Sequence, residues 1–219
     1  MFIRAGQKKG LGPAHPVIAG DDVGNDGGVR MAQMRPGDRL HLFGPLGNGF
    51  QLPREHGFVL LVAGGIGIAP LPFLTEALVR SSHSSARVLW FGGKSNADLV
   101  CVDHFLELGF TVELVTEDGS AGRRGLVTDH LEQWLLSQKE PPKLMYSCGH
   151  YSMQRRVAQL ASGLGIPCQL SMEALMACGV GACLGCSLKC WAPLGSTTPY
   201  YANVCQQGPV FSGEEIVWD

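Results

Sequence analysis

Net charge is almost absent from this chain: 17 Lys and Arg stand against 19 Asp and Glu, leaving a formal charge of −2 over 219 residues. Without a basic field there is little to hold a phosphate backbone, which argues against nucleic-acid binding. Histidine patterns for metal are missing too. The seven histidines form no H-x3-H or H-E-x-x-H arrangement, and no Ser/His/Asp triad can be nominated, so nucleophilic hydrolysis has no support. The apolar, uncharged stretch Gly57 to Thr75 holds four glycines and two prolines and reads as strand, turn and helix rather than a membrane span. No apolar segment follows the early cations Arg4, Lys8 and Lys9, so no secretory signal is visible. The expectation is a cytoplasmic protein with no membrane association.

Hydrophobic residues make up 45% of the chain and charged residues 16%, which suits a folded protein with a real core. Glycine, with 30 copies, is abundant and implies many sharp turns or close backbone approaches. Residues 1 to about 30 show neither helical nor strand period. A turn at Arg35-Pro-Gly-Asp38 then leads into Arg39-Leu-His-Leu-Phe43, whose alternation predicts a half-buried strand. From about 54 to 172 the order becomes regular. Apolar strands at Phe58–Val62, Val88–Phe91, Phe110–Val115 and Leu144–Tyr146 alternate with amphipathic stretches, which predicts a parallel sheet of the α/β class with helices on both faces. Leu71, Leu74 and Leu78 mark the inner face of one helix, and Met153, Val157, Leu160 and Ala161 that of another. Ligands of such sheets bind outside the carboxyl ends of the strands.

Five of the eight cysteines (Cys178, Cys183, Cys186, Cys190 and Cys205) crowd into the last part of the chain. Cys178, Cys183, Cys186 and the distant Cys205 follow C-x4-C-x2-C…C, the plant-type spacing for a 2Fe-2S cluster. Gly179, Gly181, Ala182 and Gly185 between them let the backbone wrap closely and point N–H groups at sulfur. A four-cysteine zinc site and plain loop cysteines are the competing readings, although zinc more often uses two separated cysteine pairs. Cys190 competes with Cys205 for the fourth place, and the distant residue is preferred. Cys101 and Cys168 read as core residues.

Gly64-Gly65-Ile66-Gly67-Ile68-Ala69-Pro70 follows an apolar strand and opens a helix, a context that suits a pyrophosphate. Pro70 stands where a Rossmann fingerprint has its third glycine, and no acidic residue ends the next strand, where Gly92-Gly-Lys94-Ser95 follows Phe91. A simple strand-to-helix turn is the plain alternative. Thr116-Glu-Asp-Gly-Ser120, Gly122-Arg-Arg-Gly125 and Tyr146-Ser-Cys148-Gly149 occupy other strand ends in the same predicted crevice. Arg123 and Arg124 are candidates to grip phosphate or ribose, or are a solvated surface pair.

Together, G-x-G-x-x-P after a strand, Cys148-Gly149 before a helix, and the late cysteine loop followed by Gly208-Pro-Val-Phe211 resemble the electron-transfer subunits of two-subunit, NAD-dependent dihydroorotate dehydrogenases, relatives of the ferredoxin reductases. The likeness runs from about residue 27 to 219. It implies three parts: a flavin-binding β-barrel, here incomplete, over 1–53; an NAD-binding α/β domain over 54–172; and a small 2Fe-2S module over 173–219. The family's barrel begins with further strands that nothing before Gly27 matches, and Gly27-Gly28 stands where a Gly-Thr pair is usual. By the resemblance, Gly27, Gly28, Gly44, Pro45, Gly47, Gly64, Gly65, Gly67, Pro70, Cys148, Gly149 and Glu173 contact FAD or NAD(H). Cys178, Cys183, Cys186 and Cys205 hold the cluster, and no side chain is covalently catalytic. The implied activity is that of an oxidoreductase subunit in pyrimidine biosynthesis, passing electrons between NAD(H), FAD, the cluster and the FMN of a dihydroorotate dehydrogenase catalytic subunit in a heterotetramer. A reductase serving another partner such as a hydrogenase, and a truncated iron–sulfur adaptor lacking FAD, stay open as alternatives. For Glu173 an ordinary surface carboxylate also stays open.

Overall fold

The computed structural model describes residues 33–40, 43–81, 84–192 and 198–218. The chain divides into two compact units, with the break between Pro45 and Leu46. In the N-terminal unit the expected turn is present. Asp38 N–H donates to Arg35 O at 3.0 Å, the Asp38 carboxylate accepts from Arg35 N–H at 2.6 Å, and Gly37 has φ +102°. The strand expected over 39–43 is not found among the described residues: Arg39, Leu40 and Phe43 are exposed and carry no ladder. Alternation alone cannot make a strand without a paired neighbour. His41 and Leu42, like Gly27 and Gly28, lie outside the described residues.

The larger unit is built on a seven-stranded sheet. Its strands are β1 (Gly57–Gly64), β2 (Ser84–Gly93), β3 (Thr111–Thr116), β4 (Arg123–Arg124), β5 (Leu144–Cys148), β6 (Cys168–Ser171) and β9 (Val210–Ser212), in the order β4-β3-β2-β1-β5-β6-β9. All neighbours are parallel except β9, which pairs antiparallel with β6. Successive β1 residues serve opposite faces, which is why the strand reads as a continuous apolar run. Val59, Leu61 and Ala63 join a core closed by helices α1 (Leu71–Ser81) and α2 (Val102–Glu107). Leu60 and Val62 join the other core, under α3 (Val127–Ser137) and α4 (Tyr151–Gly163). The predicted helix faces are the buried ones: Leu71, Leu74 and Leu78 on α1, and Val157, Leu160 and Ala161 on α4, with Met153 partly buried.

The cysteine-rich tail has more order than its composition suggests. Strands β7 (Ser187–Trp191) and β8 (Pro199–Asn203) form a hairpin, and β9 adds itself to the edge of the main sheet. Cys186, Cys190, Ala202, Val204, Cys205 and Phe211 belong to the same buried cluster as α3 and α4, so the described part of the tail shares that core.

Candidate functional site

The strand order reverses at one place. From β1 the chain moves outward through β2 and β3 on one side, then returns to place β5 and β6 on the other. The crevice at the carboxyl ends of β1 and β5 is the topological switch point, where ligands of such sheets bind. Both short motifs meet there. The turn Gly65–Ile68 leaves β1 and leads through Pro70 into α1, while Cys148 ends β5 and Gly149 precedes α4. A Cβ on Gly67 would stand 2.3 Å from Cys148 O and 2.6 Å from Gly149 Cα. A Cβ on Gly64 would stand 2.6 Å from Met153 Sδ, and one on Gly149 would stand 2.6 Å from Met153 Cε. The glycines thus let two backbone turns touch, with the Met153 thioether wedged behind them. Gly65, with φ +52°, has open space where a side chain would go.

Behind the crevice lies a buried amide that sequence reading did not single out. Gln154 is 1% exposed, and its Nε2 donates to Gly149 O at 3.1 Å and to Ser171 O at 2.8 Å. It ties the end of β5 to the end of β6. Nothing in the helical pattern of 151–163 distinguishes a Gln with this task from a solvent-facing one.

Cys148 is buried, and burial pushes its thiol up to about 11, with the nearby Glu173 adding to the shift. Glu173 itself is exposed, two residues past β6. The cysteine loop therefore departs from the strand end that neighbours Cys148. Within the loop, Cys183 N–H donates to Cys178 Sγ and Gly185 N–H donates to Cys183 Sγ, each at 3.4 Å. Gly179, Gly181 and Leu184 adopt left-handed backbone, which turns these amides toward sulfur. The backbone bond from Cys183 is the first cause, and that from Val180 the second, of a Cys178 thiol lowered to about 6. Cys205 is brought beside Cys186: Val204 N–H donates to Cys186 O at 3.0 Å, and the two thiols share a hydrogen bond. Cys205 also feels the charge of Cys178. Among the described residues no three His, Cys, Asp or Glu side chains already converge at metal-ligating distances. The donor set nevertheless fits an iron–sulfur cluster: soft thiolates with backbone N–H groups aimed at their sulfur atoms.

The other cysteines sort differently. Cys190 lies on β7 paired with Tyr200, fully buried, and burial pushes its thiol up to about 11. Cys168 is a core residue as expected, its thiol pushed up to about 12 by burial. Cys101 is not: it is exposed, in left-handed backbone (φ +62°) at the turn before α2, so its side chain is held out of the core.

Two motifs distant in sequence also meet. A Cβ on Gly47 would overlap Gly208 O, Asn48 N–H donates to that carbonyl at 2.5 Å, and Asn48 Nδ2 donates to Gln207 O at 2.8 Å. Next to this, Gln51 O accepts from Tyr146 OH at 2.8 Å and from Gln169 Nε2 at 3.1 Å. Gly44 and Pro45 belong to the N-terminal unit and are exposed there. Arg123 is engaged elsewhere, 3.7 Å from the Glu113 carboxylate and over the Trp90 ring at 5.7 Å.

Comparison with known proteins bears on both halves of this site. Residues 61–159 match the oxidoreductase NAD-binding domain, and residues 173–217 match the iron–sulfur cluster binding domain of dihydroorotate dehydrogenase B. The dihydroorotate dehydrogenase B (NAD(+)) electron transfer subunit of Caldanaerobacter subterraneus subsp. tengcongensis is 37% identical over 196 residues, covering 90% of this chain and 73% of that protein. The subunit of the same name from Geobacillus thermodenitrificans is 40% identical over 193 residues, covering 87% and 70%. Among solved structures, an NADH-dependent reduced ferredoxin-NADP oxidoreductase studied for flavin-based electron bifurcation superposes with TM-score 0.71 at 29% identity, covering 87% of this chain and 64% of that one.

Proposed function

Because the chain belongs to the family of dihydroorotate dehydrogenase B electron transfer subunits, we propose that it passes electrons between NAD(H) and a dihydroorotate dehydrogenase catalytic subunit by way of FAD and a 2Fe-2S cluster. The observation that carries this reading is the junction of the two motifs: the cysteine loop leaves the sheet at the end of β6, beside the β5 end that closes the dinucleotide crevice. When bound, the flavin supplies the conversion between hydride chemistry and the single-electron chemistry of the cluster.

The chain's own residues position and shield. Gly64, Gly65 and Gly67, with Pro70 opening the helix, admit a pyrophosphate to the backbone at the switch point. Cys148 and Gly149 floor the nicotinamide side of the crevice, where the Cys148 thiol stays protonated at neutral pH, and Glu173 stands at its rim. Gln154 holds that floor in register through its two carbonyl bonds. Gly27, Gly28, Gly44, Pro45 and Gly47 are assigned to the flavin. Cys178, Cys183, Cys186 and Cys205 are assigned to the cluster, which the backbone donors to sulfur support and from which Cys190 is left out because it packs in the core.

The partner reading is a catalytic subunit containing FMN, in a heterotetramer. Support comes from the surface of the cysteine loop, where Leu175, Met176, Val180 and Leu184 are 48–87% exposed, an apolar margin suited to docking beside an electron carrier. Among the described residues no helix is long and apolar enough to cross a membrane, and the cytoplasm is the assigned location. The likeness to the ferredoxin-NADP oxidoreductase favours a second reading, a reductase serving a different redox partner.

Anaerobically purified protein should be red-brown and give a paramagnetic signal after dithionite. Cys183→Ser should lose iron and sulfide. A colourless protein carrying one zinc would overturn the proposal. Co-purification of a flavoprotein active on dihydroorotate separates the two partner readings, since the second predicts none.

A further inference from the structure

At the adenosine end of the crevice this chain departs from the usual nicotinamide site, because β2 ends in Gly92-Gly93 followed by Lys94-Ser95 with no acid. In a doubly wound sheet a carboxylate at that point accepts from the ribose hydroxyls and turns away a 2′-phosphate. The fold brings one from the adjacent strand. Where the two strands end, their backbones stay tied, with Glu117 N–H donating to Gly93 O at 3.1 Å and Asp118 N–H donating to Lys94 O at 3.2 Å. Asp118 is thereby held beside the tip of β2. A second tie closes the loop: Asn96 N–H donates to Ser120 Oγ at 2.8 Å, while Ser120 donates from its N–H (2.9 Å) and its hydroxyl (2.6 Å) to Asp118 Oδ1.

We propose that Asp118 is the residue that selects the dinucleotide, accepting from the adenosine ribose hydroxyls and repelling a 2′-phosphate, so that NAD(H) is preferred to NADP(H). This rests on the reading of the switch-point crevice as the dinucleotide site. The Ser120 bonds hold the Asp118 carboxyl below the usual carboxylate range, so it is charged at neutral pH. Of the other charges at this rim, Asp98 spends Oδ2 on Ser95 N–H and Oγ, and the stem of Arg124 lies along Gly119. Glu117 is exposed, and Lys94 is an exposed cation that opposes the selection. Asp118 is the acid whose backbone is tied to that of Lys94.

The test is calorimetric titration of the 219-residue chain with NAD+ and NADP+, with no turnover required. Asp118→Asn keeps the Oδ1 acceptor for Ser120 while it removes the charge and turns the second carboxylate oxygen into an N–H donor. The wild type should prefer NAD+. In Asp118→Asn the ratio of the two dissociation constants should fall by about tenfold, the scale of one lost charge-assisted hydrogen bond, with NADP+ binding tighter than in the wild type. A merely structural role would weaken both nucleotides together. Asp118→Glu should retain the preference, and Asp118→Ser provides the same reading if the Asn variant is unstable. An unchanged ratio in the charge-removing variants, with NAD+ still binding to the wild type, overturns the selection by Asp118. Failure of the wild type to bind either nucleotide overturns the crevice assignment itself.

Discussion

Gly67→Ala offers the sharpest test of the crevice geometry. The added methyl would lie 2.3 Å from Cys148 O, 2.5 Å from Cys148 C and 2.6 Å from Gly149 Cα, against 3.4 Å or more for ordinary contact. Every one of those atoms is backbone, so no side-chain rotation relieves the clash. The turn after β1 and the end of β5 must separate by about 1 Å, and overpacking of this kind costs about 1–3 kcal/mol. At about 2–4 °C per kcal/mol for a protein of this size, the melting temperature should fall by several degrees. Nucleotide affinity should fall as well, because the same two turns shape the crevice at the strand ends. Calorimetric titration with NAD+ measures it directly, while the paramagnetic signal of the cluster should persist because the atoms nearest the added methyl belong to Cys148 and Gly149 and not to the cysteine loop. Gly65→Ala is the control. It meets open space and suffers only the left-handed backbone, about 1–2 kcal/mol, so its nucleotide affinity should change much less. If Gly67→Ala melts and binds NAD+ as the wild type does, the contact between the two turns is not what shapes the site.

Leu131→Ala, on the fully buried face of α3, should cost about 2–5 kcal/mol in chemical denaturation, without altering the ratio of NAD+ to NADP+ affinity. Thiol labelling of the cluster-loaded protein at pH 8 should reach the exposed Cys101 first and spare Cys148 and Cys168, as peptide mapping would report. Alkali should destabilise the fold through those same two thiols. Their folded values rise from 9.0 to about 11 and about 12, so the unfolded chain releases protons first, and stability present below pH 9 is lost as pH climbs toward 11–12. The Cys148 share is about 2–3 kcal/mol, to be checked by urea midpoints at pH 8 and 10.5.

The α/β sheet was readable from residue order because its strands are short apolar runs bounded by glycine and its helices bury one face, both local patterns. The cysteine loop was readable for a different reason: a cluster of this kind demands thiolates at fixed spacing within one stretch of chain, and that spacing survives in one dimension. Cys101 misled because an apolar neighbourhood in sequence says nothing about a left-handed turn that points the side chain outward.

What the order of residues could not contain was adjacency across the sheet. Asp118 reaches the tip of β2 only because the segments after β2 and β3 are tied to each other, and Gln154 acquires its two carbonyl partners only when α4 settles over β5 and β6. Strand β9 was hidden in a glycine- and proline-rich tail because three residues carry too little pattern to declare a strand until β6 provides an edge. Periodicity and spacing record what each segment needs from its own neighbours in the chain. Which segments then become neighbours in space is set by how the strands are ordered and how the two cores close, and the details of the site follow from that.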